Sequence, residues 1–302
     1  MGAQGLKAVL SRLVTHGWAL GFRLLGSRQR ASVAALRPHP GERISVIAPH
    51  PDDEIIGCVG AILRHKQLGS AIQFVFISDG RASRSLDLPA EQVAAVRHEE
   101  AVRSSEALGA AFDWIGLKET EWLQVDLGDA LTRALSAFRP DCIYAPSCLD
   151  FHPEHVRVAQ ALAHCLQNPM FESRRLRMRI YQIQVPLTAT CTNLVHPMDD
   201  LAGPALIAMR SYASQAGNHD RALRLRRYTA NYFQQGALAE AYWELSALDY
   251  VHLHSSRIAP WSASTFRGLR GGPWSDPLAY LQGRGARMQL RQLASDAGQT
   301  AP

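Results

Sequence analysis

The sequence predicts an α/β fold in which a mainly parallel sheet is covered on both faces by helices, and three observations predict it. From residue 43 onward, short apolar runs alternate with longer amphipathic ones, so the pattern switches back and forth between strand and helix. Apolar residues make up 47% of the 302-residue chain, ample for a buried core. Two clusters rich in His, Asp and Glu stand directly behind strand-like runs, at the place where open α/β sheets bind ligands.

The elements follow in order. Residues 44–48 (Ile-Ser-Val-Ile-Ala) are a short, mostly β-branched run and read as the first strand, and the longer amphipathic stretch 54–68 reads as a helix. The apolar run 72–78 gives a second strand and 90–108 a second helix, followed by a short strand near 112–115 and a helix over 127–138. Residues 142–145 give a fourth strand, 153–166 a helix that opens on a proline, and 180–185 a fifth strand. The result is a Rossmann-like three-layer sandwich with strand order 3-2-1-4-5, in which the first and fourth strands lie side by side where the winding reverses. Residues 209–215 and 236–245 read as late helical pieces that close the pocket. Asp79-Gly80, behind the second strand, reads either as part of the same crevice or as a plain turn.

The first acidic cluster is His50-Pro51-Asp52-Asp53-Glu54 and the second is Asp150-Phe151-His152-Pro153-Glu154-His155. Catalytic zinc takes three protein ligands from His, Asp, Glu and Cys and keeps a fourth position for water, and His50, Asp53 and His155 make such a set. The tight turn through Pro51 lets residues three apart aim at one point while Asp52 projects beside them, free to act as a base. His152 is the natural partner of a developing oxyanion or a leaving amine. Either cluster alone also suits a solvated loop or the positive end of a helix, and only the pair at matched positions argues for a metal site.

These residues resemble the LmbE/PIG-L family of zinc-dependent N-acetylglucosamine deacetylases. The resemblance rests on His50-Pro51-Asp52-Asp53-Glu54 with Gly57 and Gly60 behind it, on Arg97-His98-Glu99-Glu100-Ala101, and on His152-Pro153-Glu154-His155, and it spans about residues 43–245. It implies Zn2+ bound by His50, Asp53 and His155, Asp52 as general base, His152 as the group that assists the tetrahedral intermediate, and Arg97 as a substrate contact. Ser214, Gln215 and Glu240 resemble weakly patterned positions of the family. The chain departs from the family at Glu154, where Asp is usual, and the longer arm between His152 and His155 bears on how His152 is oriented.

Charge divides the chain into a basic N-terminal extension (1–40), a deacetylase-like domain (41–255) and a basic tail (256–302) rich in Gly, Pro and Arg. Residues 1–40 hold six Lys or Arg and no acid, and residues 256–302 hold six Arg against two Asp, which leaves 41–255 with twenty basic and twenty-five acidic side chains. An acidic domain argues against a nucleic-acid enzyme, and basic extensions suit an anionic surface such as a membrane. Leu6, Val9, Leu10, Leu13, Gly17, Leu20 and Leu24 follow helical spacing with Arg12, His16 and Arg23 on the other side. That helix reads equally as a peripheral membrane contact or as an element packed on the core; its apolar run is too short to span a bilayer or to make a signal peptide, although residues 31–34 mimic a cleavage site. An acid-free, Arg-rich start also has the composition of an organellar transit peptide. The tail is expected to be loosely ordered, with Trp261, Phe266, Trp274 and Tyr280 pointing to partial docking or a partner. No transmembrane segment, repeat or G-x-G-x-x-G turn is present in the sequence.

Cys58, Cys142, Cys148, Cys165 and Cys191 show no metal-type spacing and suit a reducing cytoplasm, with any membrane association on its inner face. They are read as core residues, Cys148 included. His98, His164, His196, His219, His252 and His254 are read as structural, the last two as alternating strand residues. The leading expectation is a metal-dependent amide hydrolase that removes acetyl from an N-acetylated amino sugar. Hydrolysis of another sugar conjugate or an antibiotic intermediate, and non-catalytic sugar or nucleotide binding, stand as the alternatives. The substrate's aglycone and the oligomeric state have no readable code.

Overall fold

The computed structural model describes residues 3–26, 33–123, 125–172, 175–255, 265–266 and 275–300. In chain order its elements are α1 (Ala3–Leu25), β1 (Ala34–Ala35), β2 (Arg43–Ala48), α2 (Asp53–Gln67), β3 (Ala71–Ser78), α3 (Ala90–Leu108), β4 (Ala110–Leu117), α4 (Gly128–Phe138), β5 (Cys142–Pro146) and α5 (Pro153–Cys165). Then come α6 (Pro169–Glu172), β6 (Arg177–Tyr181), β7 (Leu194–Pro197), α7 (Ala202–Met209), α8 (Ala216–Phe233), β8 (Ala239–Ser246), α9 (Ala247–Ser255), α10 (Leu278–Leu281) and α11 (Arg284–Thr300).

Five parallel strands lie in the order β4-β3-β2-β5-β6, the expected 3-2-1-4-5, and β8, β7 and β1 extend the sheet beyond β6 to eight strands. The period of two along each central strand explains why both faces need a cover. Ile44, Val46 and Ala48 of β2 and Ile72, Phe74 and Phe76 of β3 join one apolar layer with Ile55, Val59 and Ile62 of α2. Ile47, Val75, Ile77, Ile143 and Ala145 join the opposite layer with Leu131 and Leu135 of α4 and Val158 and Leu162 of α5.

The largest correction concerns residues 236–245, expected as helix. They contribute most of β8, which pairs antiparallel with β6 and β7. Glu240 and Glu244 are four apart and resemble a helix face, but the working period is two: Ala239, Ala241 and Trp243 enter one core layer and Tyr242 the other. Glu244 instead pairs across strands with Arg179, whose Nε donates to it at 2.7 Å. The buried Arg179 also hid the start of β6, which begins at Arg177 and ends before the expected 182–185. Residues 209–215 divide between the end of α7 and a 3-10 turn, Ala213–Gln215. β4 runs the full stretch Ala110–Leu117; its half-exposed residues blur the apolar signal of a sheet edge. His252 and His254 lie in helix α9, not in a strand.

The tail expected to be loose is helical in its described part. Phe266, Ala279, Ala286 and Leu290 are buried in the core layer that also holds Tyr250 and Leu253 of α9. Trp261, Trp274 and the run 267–273 lie outside the described residues, as do residues 31 and 32. Helix α1 packs through Ala19 and Phe22, with the Phe22 ring 5.3 Å from that of Tyr228 and 4.5 Å from that of Tyr280. The apolar face read from the sequence is on its other side. No helix among the described residues is long and apolar enough to cross a membrane.

Candidate active site

Strands β2 and β5 are neighbours in register, Ile44 opposite Cys142 and Val46 opposite Tyr144, so the loops leaving their C-terminal ends emerge side by side. The first loop turns within His50–Asp52 and enters α2. Asp52 makes that turn with φ of 112°, a conformation that Asp and Asn adopt more readily than most residues. The second loop ends at Pro153, whose fixed φ starts α5 and brings His155 round in its first turn.

Three donor atoms from the two loops meet. Nδ1 of His50 lies 3.1 Å from Oδ2 of Asp53, Nε2 of His155 lies 3.2 Å from Nδ1 of His50, and the same His155 nitrogen lies 3.5 Å from Oδ2 of Asp53. A tetrahedral ion with bonds of about 2.0–2.1 Å has ligand edges of roughly 3.3–3.4 Å, so this triangle has the dimensions of a zinc face. Carboxylate oxygens hold the outer nitrogen of each histidine. Oδ2 of Asp150 lies 3.0 Å from Nδ1 of His155, and Oε2 of Glu154 lies 2.9 Å from Nε2 of His50. Such partners fix the ring and aim its remaining nitrogen at a metal. The donor set therefore fits the metal that the residue types suggested.

The extra methylene of Glu154 has a different use from the one expected. Glu154 reaches across to His50, while its Oε1 accepts from the backbone N–H of Thr120 at 2.6 Å; Glu119 stands 3.6 Å from the same His50 nitrogen. His152 stacks on His155, with ring centroids 4.7 Å apart, and its Nδ1 has no hydrogen-bond partner among the described residues. One nitrogen each of His50, His152 and His155 lie within 4.8 Å of one another.

Burial and charge set the protonation of the cluster. Burial opposes ionisation of Asp53, but the charge of His155 and the contacts from His50 hold its carboxyl down to about 2. Burial disfavours the charged form of His50, and Asp53 and Glu154 overcome it, pushing that imidazole up to about 10. Burial, with His155 and His50 nearby, pushes His152 down to about 3. Burial raises the Asp52 carboxyl above the usual range, and Arg97 partly offsets this.

Asp52 stands beside the triangle rather than in it. Its Oδ1 accepts from Nη2 of Arg97 at 3.0 Å and its Oδ2 from Nδ2 of Asn218 at 3.1 Å. Arg97 also donates to the carbonyl of Pro51. Thus Arg97, expected as a substrate contact, is tied to the candidate base. Gly80, at the end of β3, packs against it with φ of 69°; a Cβ there would lie 2.8 Å from Nε of Arg97. The cavity over these groups has a volume of about 310 Å³ and is bordered by Asp52, Arg97, His152, Gly80, Ser83, Gln215 and Asn218.

Asp150, Glu119 and Asn218 join the site without a role expected from the sequence. Asp150 had a signal, being an acid between a strand end and a candidate ligand. Asn218 had none, because it comes from α8, 166 residues away from its partner. Ser214 and Glu240 are structural: Ser214 Oγ donates to Glu100 at 2.6 Å, and buried Glu240 accepts from Arg226 at 2.8 Å and from the backbone N–H groups of Gly60 and Ala61. The close approach of Glu240 and Tyr181 to α2 explains Gly60 and Gly57, since a Cβ at either would collide with those side chains. All five cysteines are buried and free, and burial pushes the Cys148 thiol up to about 12.

A parallel sheet in this order, with two histidines and an aspartate gathered at its switch point, defines an LmbE-type α/β fold. Residues 45–166 match the profile of the PIG-L family, which is described as GlcNAc-PI de-N-acetylase. Among solved structures the chain is similar to N,N'-diacetylchitobiose deacetylase from Pyrococcus horikoshii, at 23% identity and a TM-score of 0.60 over 73% of this chain and 87% of that one. It is similar to an A40926 pseudoaglycone deacetylase at 18% identity and a TM-score of 0.54, over 68% of this chain and 98% of that one. It is also similar to 4-carboxy-2-hydroxymuconate hydratase from Pseudomonas putida KT2440, at 17% identity and a TM-score of 0.56, over 67% and 95%. At such identities the likeness is one of fold, and a hydratase among deacetylases means that the frame alone does not name the reaction. Comparison with curated proteins gave no match.

Proposed function

We propose that the protein is a zinc-dependent hydrolase that removes the acetyl group from an N-acetylated amino sugar of the N-acetylglucosamine type. The observation that carries this reading is the triangle of His50 Nδ1, Asp53 Oδ2 and His155 Nε2, with edges of 3.1, 3.2 and 3.5 Å, standing beside a carboxylate that is not one of its corners. The PIG-L match over residues 45–166 supports the choice of an amide, and the hydroxyl and amide groups of Ser83, Ser85, Gln215 and Asn218 around the cavity suit a sugar ring.

His50, Asp53 and His155 would hold the metal, which supplies a Lewis-acidic centre that polarises a carbonyl and lowers the pKa of water to roughly 7. Asp52, steered by Arg97 and Asn218, takes a proton from the attacking water as the new C–O bond forms. His152, held neutral by its surroundings, offers a ring N–H to the oxygen that gains negative charge. When the C–N bond breaks, Asp52 returns its proton to the departing nitrogen, giving acetate and a free amine.

The test is acetate release from N-acetylglucosamine compounds that are free, nucleotide-linked or lipid-linked, with zinc quantified in the same samples. Release that tracks zinc content and selects one member is the expected result. Stoichiometric zinc with no release from any member would overturn the deacetylase reading and leave the metal cradle intact.

A further inference from the structure

We infer that α1 is a docking element for an anionic lipid surface. It rests on the domain by one face, through Ala19 and Phe22, and turns a different and more apolar face to solvent. Val9, Leu10, Leu13, Leu20 and Leu24 are 43, 45, 64, 59 and 71% exposed. At about 100° per residue these five fall within one arc of roughly 100°, opposite Trp18 and Phe22. A stripe of large aliphatic side chains on an already docked helix has no use in the packing of the described residues, and such a patch marks an interaction surface.

Charge selects the occupant. Arg12, His16 and Arg23 are exposed along one edge of the stripe, and residues 1–40 hold six basic and no acidic side chains. Leucines inserted among acyl chains, with arginines at headgroup level beside them, match the interface of an anionic bilayer. A second copy of this chain fits less well, because two acid-free helices laid stripe to stripe would bring like charges together. A nucleic acid would have no use for the leucines. The helix beneath α1 also reaches the cavity: Tyr228 packs on Phe22, and Arg221 and Asn218, about two and three turns earlier on α8, border the cavity. The surface proposed here would therefore lie near the cavity, although the inference does not depend on the reaction catalysed there.

The experiment is flotation of the full chain with vesicles of phosphatidylcholine alone and of phosphatidylcholine containing about 30% phosphatidylglycerol, an anionic surface of the kind that attracts basic segments. Recovery with the anionic vesicles that falls as salt is raised, and that drops about tenfold or more in Leu13→Glu/Leu20→Glu, is expected. Both positions are exposed on a helix, so the variant should keep the wild-type melting curve; Arg12→Glu/Arg23→Glu, which spares the leucines, should lose the preference for anionic vesicles. Equal flotation of wild type and the Leu variant would overturn the inference. So would failure of the wild type to float with either vesicle, or a dimer detected by light scattering that the Leu variant dissociates without any vesicle binding.

Discussion

The carboxylate of Asp150 lies 3.0 Å from Nδ1 of His155, and Nε2 of the same ring is the corner of the donor triangle. An acid at that distance favours the proton on Nδ1 of His155 and leaves the lone pair of Nε2 for the triangle. Asp150 also fixes the loop that presents both histidines, because its Oδ1 accepts from the backbone N–H of His152 at 2.9 Å. Asp150→Asn should fold, keep the loop contact and weaken zinc binding by roughly 10–100-fold, measured by competition with a chelator. Unchanged zinc affinity would mean that His155 needs no partner to serve as a ligand.

Asp52→Asn separates the base from the metal. Asn accepts the positive φ of 112° at this turn, and the three corners of the triangle remain, so zinc content should match wild type. Turnover should fall by roughly 10²–10⁴-fold, the usual weight of a positioned base. His155→Ala should lose both metal and turnover. A zinc-loaded Asp52→Asn enzyme with normal turnover would remove Asp52 from the mechanism.

What the sequence disclosed and what it hid differ by physical cause. The parallel core was legible because β2, β3 and β5 are buried on both faces and read as short apolar runs. The candidate site was legible because His50 and Asp53, and His152 and His155, sit close together in the chain just behind those strands. β8 was misread because its two carboxylates, buried Glu240 and half-buried Glu244, satisfied by Arg226 and Arg179, look like the polar face of a helix until their partners are known. Asn218 was invisible for a related reason: the contact that brings it to Asp52 spans 166 residues, and one sequence without its fold holds no trace of it. On α1 the apolar stripe was legible, but which face would dock was not, because Phe22 gains its value only from the tyrosines it meets and Trp18 from Phe22 beside it.

His65 gives a pH test that is independent of the metal. It is fully buried beneath the sheet, with Nε2 3.0 Å from the Tyr144 hydroxyl and 3.4 Å from Nη1 of Arg179. Burial, together with the charges of Arg179 and Arg177, pushes this imidazole from 6.5 down to about 3. Between those values the unfolded chain binds a proton that the folded protein refuses, so this group costs stability as pH falls below 6.5. The contribution is at most about 1.4 kcal/mol per pH unit. His65→Gln should be less stable at pH 8 yet show a shallower decline in chemical-denaturation stability between pH 6 and 4. Parallel declines for the two proteins would place the acid sensitivity elsewhere.

Arg97 offers the sharpest separation of two roles. The family resemblance suggests a substrate contact, whereas the geometry ties its Nη2 to Oδ1 of Asp52 at 3.0 Å and to the Pro51 carbonyl. An adjacent guanidinium favours the ionised carboxylate and offsets part of the rise that burial imposes on Asp52. Removing it in Arg97→Gln leaves Asp52 easier to protonate, so the acidic limb of the kcat profile should move to higher pH while KM changes little. A substrate contact predicts the reverse: KM rises and the limb stays where it was. Because Arg97 is buried and fills the space beside Gly80, the melting temperature must be followed in the same samples. A limb that moves in a protein of near-normal stability would identify Arg97 as the residue that keeps the base ionised, and an unmoved limb with raised KM would return it to the substrate.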